Sequence, residues 1–311
     1  MEEIFSYWGN GFNEDISCWD VSNVTNMDSM FYSTYSFNGD ISSWDVSNVI
    51  NMDNMFYGAS LFNCDISGWN VSKVESMESM FRQCEDFNQP LNKWNVSSVK
   101  SMCQMFFECE KFNQPLNNWD VSKVKDVSHM FYNCKNFNQP LNDWDVSKIE
   151  NMRSMFERCE NFNQPLNKWN VSKVESMQNM FGGAPLFNGS LDSWDISSVI
   201  DIDCMFVDAS SFNQPINTNT VTRQDGTTYT AWDVSNVEHM SYMFLRAISF
   251  NQNLNNWNPN DDCSIKYIFE KAKIFNREEN AKWFKQKKQE FIDYDTYITA
   301  YFTEYDSDYY D

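Results

Sequence analysis

Residues 87–186 divide without remainder into four lines of 25. They read FNQPLNKWNVSSVKSMCQMFFECEK (87–111), FNQPLNNWDVSKVKDVSHMFYNCKN (112–136), FNQPLNDWDVSKIENMRSMFERCEN (137–161) and FNQPLNKWNVSKVESMQNMFGGAPL (162–186). Working outward, tryptophans fall 25 apart at Trp19, Trp44, Trp69, Trp94, Trp119, Trp144, Trp169 and Trp194, then resume at Trp232 and Trp257. A Phe-Asn pair opens every unit from Phe12 to Phe275, and a Met-Phe pair closes most of them. A fixed period of this size marks a stack of units, each of which buries its apolar face only against its neighbours.

Within the unit that opens at Phe137, Trp144 and Val146 alternate with Asp145 and Ser147, the period-two pattern of a short half-buried strand. Pro140 precedes that strand, where its missing N–H does no harm. Ser147 with Glu150 three residues on reads as a capping box, repeated at Ser72/Glu75, Ser172/Glu175 and Ser235/Glu238. Met152, Met155, Phe156 and Cys159 then follow at i, i+3, i+4 and i+7, one face of a short helix. The expected fold is an α/β repeat solenoid of ten 25-residue coils, each with one short parallel strand and one short helix. Its strands would stack at about 4.8 Å per coil.

Three segments depart from the repeat. Residues 1–11 carry Phe5, Tyr7 and Trp8 and read as an N-terminal cap over the repeat region 12–275. Residues 276–311 read as a C-terminal capping helix, Arg277 to Ile292, and an acidic Tyr-rich tail. Between Ile216 and Trp232 lie fifteen residues where other coils have two. That insert, 217–229, has Thr and Val runs around Asp225-Gly226 and reads as a hairpin. Insertions in repeat arrays project as loops and often meet partners, which makes Arg223, Gln224, Asp225 and Tyr229 the candidate partner-binding residues. A tolerated insertion without a role is the other reading, since long loops cost little to close.

The totals exclude several functions. With 44 acidic against 23 basic residues the formal charge is −21, and no basic stripe exists to displace counterions from nucleic acid. The acidity provides solubility for a chain that is 17% aromatic. No stretch of about 18 apolar residues is present, so no membrane insertion is expected. The acidic start, Met1-Glu2-Glu3, is unlike a secretory signal, and the expected location is cytoplasmic or virion-associated.

Chemistry is sparse. Only His129 and His239 are available, in no ligand spacing, and both read as solvated helix positions. No phosphate-cradling glycine motif or nucleophile elbow occurs, so neither an enzyme nor a cofactor is expected. Cys84, Cys109, Cys134 and Cys159 share a slot that holds Ala59, Ala184, Ala209, Ala247 and Ala272 elsewhere, which marks a small buried position. The Asn of each Phe-Asn pair, as in Asn88, Asn113, Asn138 and Asn163, reads as a buried ladder bonded to neighbouring backbone. The residue after each Trp is Asp20, Asp45, Asn70, Asn95, Asp120, Asp145, Asn170, Asp195, Asp233 or Asn258. That column either bonds the next turn's backbone or shares a hard cation such as Ca²⁺.

The unit FNQPLNxWDVSxVxxMxxMF resembles the BspA-like bacterial surface protein repeat, a relative of the leucine-rich repeats, over roughly Phe12 to Phe275. The resemblance implies a leucine-rich-repeat-like coil used for adhesion or protein binding, with no catalytic residues to carry over. Such proteins occur on bacterial surfaces, in protists and in large DNA viruses. The resulting expectation is a non-enzymatic protein-binding or structural scaffold, with a virion component of a large DNA virus as its specific form. A surface adhesin for host protein or glycan is the alternative.

Overall fold

Each 25-residue unit closes one coil, and successive coils stack in register. Single-residue parallel bridges run from Asn26 through Asn51, Ser76, Ser101, Asp126, Asn151, Ser176, Asp201 and His239 to Ser264. The structure, a computed structural model, describes residues 2–6, 11–223 and 225–286. Coils are numbered here from the one that opens at Phe12.

The α/β solenoid of helix-and-strand coils is not what the chain forms. Among the described residues the regular elements are a two-stranded sheet, β1 (Asn219–Thr222) and β2 (Thr228–Ala231), the one-turn helix α1 (Arg277–Asn280) and a 3₁₀ turn, Lys282–Gln286. No repeat unit contains a helix, and the parallel sheet shrinks to one bridged residue per coil.

The physical reason lies in where the amides go. In coil 6, Met152, Ser154, Phe156 and Arg158 donate to Ser176, Gln178, Met180 and Gly182 of the next coil, at 2.7–3.0 Å. The amides between them, on Met155, Glu157 and Cys159, donate three residues back to Met152, Ser154 and Phe156, at 3.1–3.3 Å. A helix needs each amide to reach four residues back, and here alternate amides are committed to a neighbour. Ser154 and Arg158 take φ of 52° and 58° as the third residue of tight turns. Gly58 and Gly183 hold Arg158's place in their own coils with φ of 71° and 64°. Left-handed backbone costs an L-residue about 1–2 kcal/mol; no β-branched residue occurs among the non-glycine positions that adopt it.

The expected strand is also replaced by turns. Trp144 and Ile149 donate to Leu141 and Val146, three residues back, at 3.1 and 3.0 Å. Glu150 caps nothing; its amide bonds the Lys125 carbonyl and its carboxylate pairs with Lys125 Nζ at 2.9 Å, one coil earlier.

Side-chain ladders fill the interior. Phe106, Phe131 and Phe156 repeat at 5.7 and 5.6 Å between centroids, and Phe131 stacks on Phe137 of the next coil at 4.1 Å. Trp144 is buried, and its Nε1 donates to the Leu116 carbonyl at 2.9 Å, one coil back. That bond recurs down the stack to Trp257 and then Trp283. Each large side chain so buried stabilises by roughly 1.5–3 kcal/mol, and the indole N–H finds the partner that a buried Trp needs.

The Asn ladder bonds backbone but sits nearer solvent than expected. Asn138 Oδ1 accepts the Asn163 amide at 3.0 Å, and equivalent bonds run from Asn13 to Asn276, yet these side chains are half-buried or exposed. Both ends continue the pattern. Phe5 stacks on Phe12 at 3.9 Å as Phe31 does on Phe37 at 4.1 Å, and Phe5 N donates to Met30 O. At the other end Asn276 Oδ1 turns to the amides of Glu278 and Glu279, which ends the ladder as an N-cap for α1. The helix expected over Arg277 to Ile292 stops after one turn at Ala281 and gives way to the 3₁₀ turn Lys282–Gln286; its remainder, the tail, Tyr7 and Trp8 lie outside the described residues.

Candidate functional site: the bay under the hairpin

The one break in register forms the hairpin β1–β2, paired antiparallel from Asn219↔Ala231 to Thr222↔Thr228. Gly226, with φ of 83°, turns its tip. Strand alternation puts Val221 and Tyr229 opposite each other on the face packed against the core, while Thr220 and Thr230 face solvent. The base is tied forward, where Asn256 Nδ2 donates to the Thr218 carbonyl at 3.0 Å. The body leans back over coils 7 and 8, where Tyr229 Oη donates to the Ser193 carbonyl.

Beneath it lies a bay of about 290 Å³ lined by Asn167, Lys168, Trp169, Asn170, Ser193, Asp195, Arg223 and Tyr229. Arg223 closes one wall: its Nη2 meets Asp195 Oδ2 at 3.1 Å and its guanidinium lies 4.1 Å from the Tyr229 ring centroid. Lys168 Nζ meets Asp143 Oδ1 at 2.8 Å. Each cation has its own carboxylate, so the lining together with Asp143, which lies outside it, is close to neutral on a chain of net charge −21. Burial raises the Tyr229 phenol, Asp195 and Asp192 add to this, and Arg223 opposes it.

Of the residues expected to bind partners, Arg223 and Tyr229 meet at this bay. Asp225 does not: at the tip, its Oδ1 accepts the Thr227 hydroxyl at 2.6 Å and amide at 2.9 Å, which hold its pKa below the ordinary range. Gln224 lies outside the described residues. The floor, Asn167 to Asn170 with Ser193 and Asp195, had no distinguishing signal, because other coils carry the same residue types there. Only the hairpin's backward lean selects these copies.

The other candidate columns resolve into structural roles. From Asp20 to Asp233 the carboxylates and amides that follow each Trp close turns of their own coil, as Asp145 Oδ1 accepts the Ser147 amide at 3.1 Å, and not of the next coil as expected. Among the described residues no group of three or more His, Cys, Asp or Glu is placed to hold a metal ion. Cys84, Cys109, Cys134 and Cys159 are buried free thiols, each donating to a Phe carbonyl one coil back at 2.9–3.0 Å. Burial pushes their pKa values up, against reactivity. His129 is not a solvated helix position. It is buried at a left-handed turn beside Phe107 and Tyr132, and burial with Arg153 and Arg82 lowers its pKa to about 3. His239 is exposed, at a bridge rather than on a helix.

No helix among the described residues is long and apolar enough to cross a membrane. The family model described as "Mycoplasma protein of unknown function, DUF285" matches residues 1–116, 62–149, 140–230 and 224–299. Among solved structures, a leucine-rich-repeat protein of Leptospira interrogans is similar over 77% of this chain and 66% of its own, at 7% identity and a TM-score of 0.23. No curated protein matches the chain.

Proposed function

The chain belongs to the DUF285 family of mycoplasma proteins of unknown function, and on that premise we propose that it is a non-enzymatic scaffold that binds other proteins. The observation that carries this is the hairpin. It interrupts the repeat register within the stack, it is tied to the coils on both sides, and it presents Thr220, Thr222, Thr228 and Thr230 to solvent. Two paired strands held on a rigid stack offer backbone edges and side chains at small ordering cost, which favours association.

The test replaces residues 217–231 by Asn-Lys, the two residues that join Leu91 to Trp94 in coil 4. Cross-linking in the native source, read by mass spectrometry, should give one dominant protein partner with the intact chain and lose it with the shortened one. An unchanged cross-link pattern would refute a hairpin-borne contact. The narrower form, a component of a virus particle, is read by whether that partner is a capsid protein. A surface adhesin is the second reading, favoured by the polar bay that opens beside the hairpin.

A further inference from the structure

We propose that the bay under the hairpin is a binding site for a neutral sugar ring, a hexopyranoside held by amide and guanidinium donors beside an aromatic wall. The proposal goes beyond the scaffold reading and holds whether the chain acts as a scaffold or as an adhesin.

Three features of the bay select this chemistry. The first is charge. Lys168 is matched by Asp143 at 2.8 Å and Arg223 by Asp195 at 3.1 Å, so a charged ligand would have to displace a partner already in place. The second is unspent hydrogen-bonding capacity. Asn167 Oδ1 accepts from Asn142 Nδ2 at 3.3 Å, and Asn170 Oδ1 accepts the Ser172 amide at 3.3 Å. The Nδ2 groups of both have no partner among the described residues. Arg223 uses one of its guanidinium donors on Asp195 and keeps the others, and the Ser193 hydroxyl, which donates to the Asn167 carbonyl at 2.6 Å, keeps acceptor capacity. Planar groups with paired donors suit vicinal hydroxyls, which both donate and accept.

The third feature is shape. At about 290 Å³ the bay is at the small end of ligand pockets, of a size for one ring rather than a folded partner. Half-buried Tyr229 lines it, and an aromatic ring packs against the C–H surface of a pyranose; Trp169, 3% exposed and stacked on Trp194, adds little surface of its own. A carboxylate ligand would use the same donors but would meet Asp195 across the bay, 14% exposed and pointed at Arg223. A neutral polyol meets no such repulsion.

The experiment is saturation-transfer NMR of the full chain with methyl glycosides of glucose, galactose, mannose and N-acetylglucosamine, each at about 10 mM. Glucuronate and an acidic peptide are run beside them. The decisive variant is Asn167→Ser with Asn170→Asp, which removes both free Nδ2 donors. It should still fold, because Ser17, Ser42 and Ser67 stand at the first position in other coils and Asp145 and Asp195 at the second. The expected result is saturation of at least one neutral glycoside, weakened about tenfold or more in the variant. No transfer to any glycoside overturns the proposal. So does transfer that the variant leaves unchanged, or a preference for glucuronate or the peptide over every neutral ring. Replacement of 217–231 by Asn-Lys provides a second reading: it removes Arg223 and Tyr229 and must abolish the signal.

Discussion

Two sides of each coil obey different rules. On one side the residues repeat: Phe, Asn, Leu, Trp and Val recur in every central coil and lock into ladders, such as Trp144 on Leu116 at 2.9 Å. On the other, the left-handed turn positions hold Ser79, Gln104, His129, Ser154, Asn179 and Cys204, no two neighbours alike. There the packing is improvised, with Arg82 over Phe107 at 4.3 Å, Phe107 stacked on Tyr132 at 4.4 Å, and Cys204, Val207, Tyr242 and Leu245 forming a separate cluster. The backbone bonds at these turns are the same in each coil, so the fold demands a conformation there rather than a side chain. Uniform residues mark where identity carries the stack, and varied ones mark where it does not.

The largest test of that contrast is Trp144→Ala, which empties a buried site and leaves the Leu116 carbonyl with the Trp119 amide as its one remaining donor among the described residues. A loss of about 3–5 kcal/mol in denaturant unfolding is expected; a loss below about 1 kcal/mol would mean that the ladder is not where stability resides.

The turn side should reveal itself through pH. Burial raises Glu157 from 4.5 to about 7, against the pull of Ser154, Arg158 and Arg153. The folded state then keeps a proton that the unfolded chain releases near 4.5, so stability falls as pH rises from 4.5 to about 7 and levels beyond. Glu157→Gln should flatten that slope and gain on the order of 2–3 kcal/mol at about pH 8. Half-buried Asp203, raised to about 7 by the burial of its carboxyl, adds in the same direction. His129 works oppositely: held neutral to about 3, it costs stability as pH falls below 6.5, where the unfolded chain takes up a proton. Melting followed across pH in wild type, Glu157→Gln and His129→Gln separates the two.

Asn138→Ala sharpens the repeated side. Its carboxamide oxygen accepts both the Asn163 amide and Gln164 Nε2 at 3.0 Å, and its loss should cost about 1–3 kcal/mol by the same unfolding assay. The smallest effect belongs to the hairpin. Replacing 217–231 by Asn-Lys should move stability by no more than about 1 kcal/mol, because the Trp232 indole bond to Leu191, at 2.8 Å, belongs to the coil and not to the insert. A collapse of the fold on that change would make the hairpin structural.

The repeat register and the small Cys slot were legible, as was the hairpin around Asp225-Gly226. The helix was not. Met152, Met155, Phe156 and Cys159 have helical spacing, but consecutive three-residue turns bring the same positions inward. A period records which side chains face inward and says nothing of whether an amide bonds within its segment or to the next coil. One signal did exist: Gly58, Asn133 and Gly183 stand at one turn position, and Asn54 and Asn179 at another, residue types that favour left-handed backbone. The site was half legible. Arg223 and Tyr229 stood out because they break the repeat, whereas Asn167, Asn170 and Asp195 looked like every other copy.

The amino-acid sequence alone determined the unit, its register and the residues that stack, because identical side chains at a fixed period satisfy one another only when coils lie in step. The tertiary structure decided the backbone and the site. Alternate amides were taken by the next coil, which forbids helix, and the hairpin leaned back over coils 7 and 8, which distinguishes their asparagines from all the rest. Both outcomes depend on contacts between residues 24 or more apart in the chain, which local pattern does not encode.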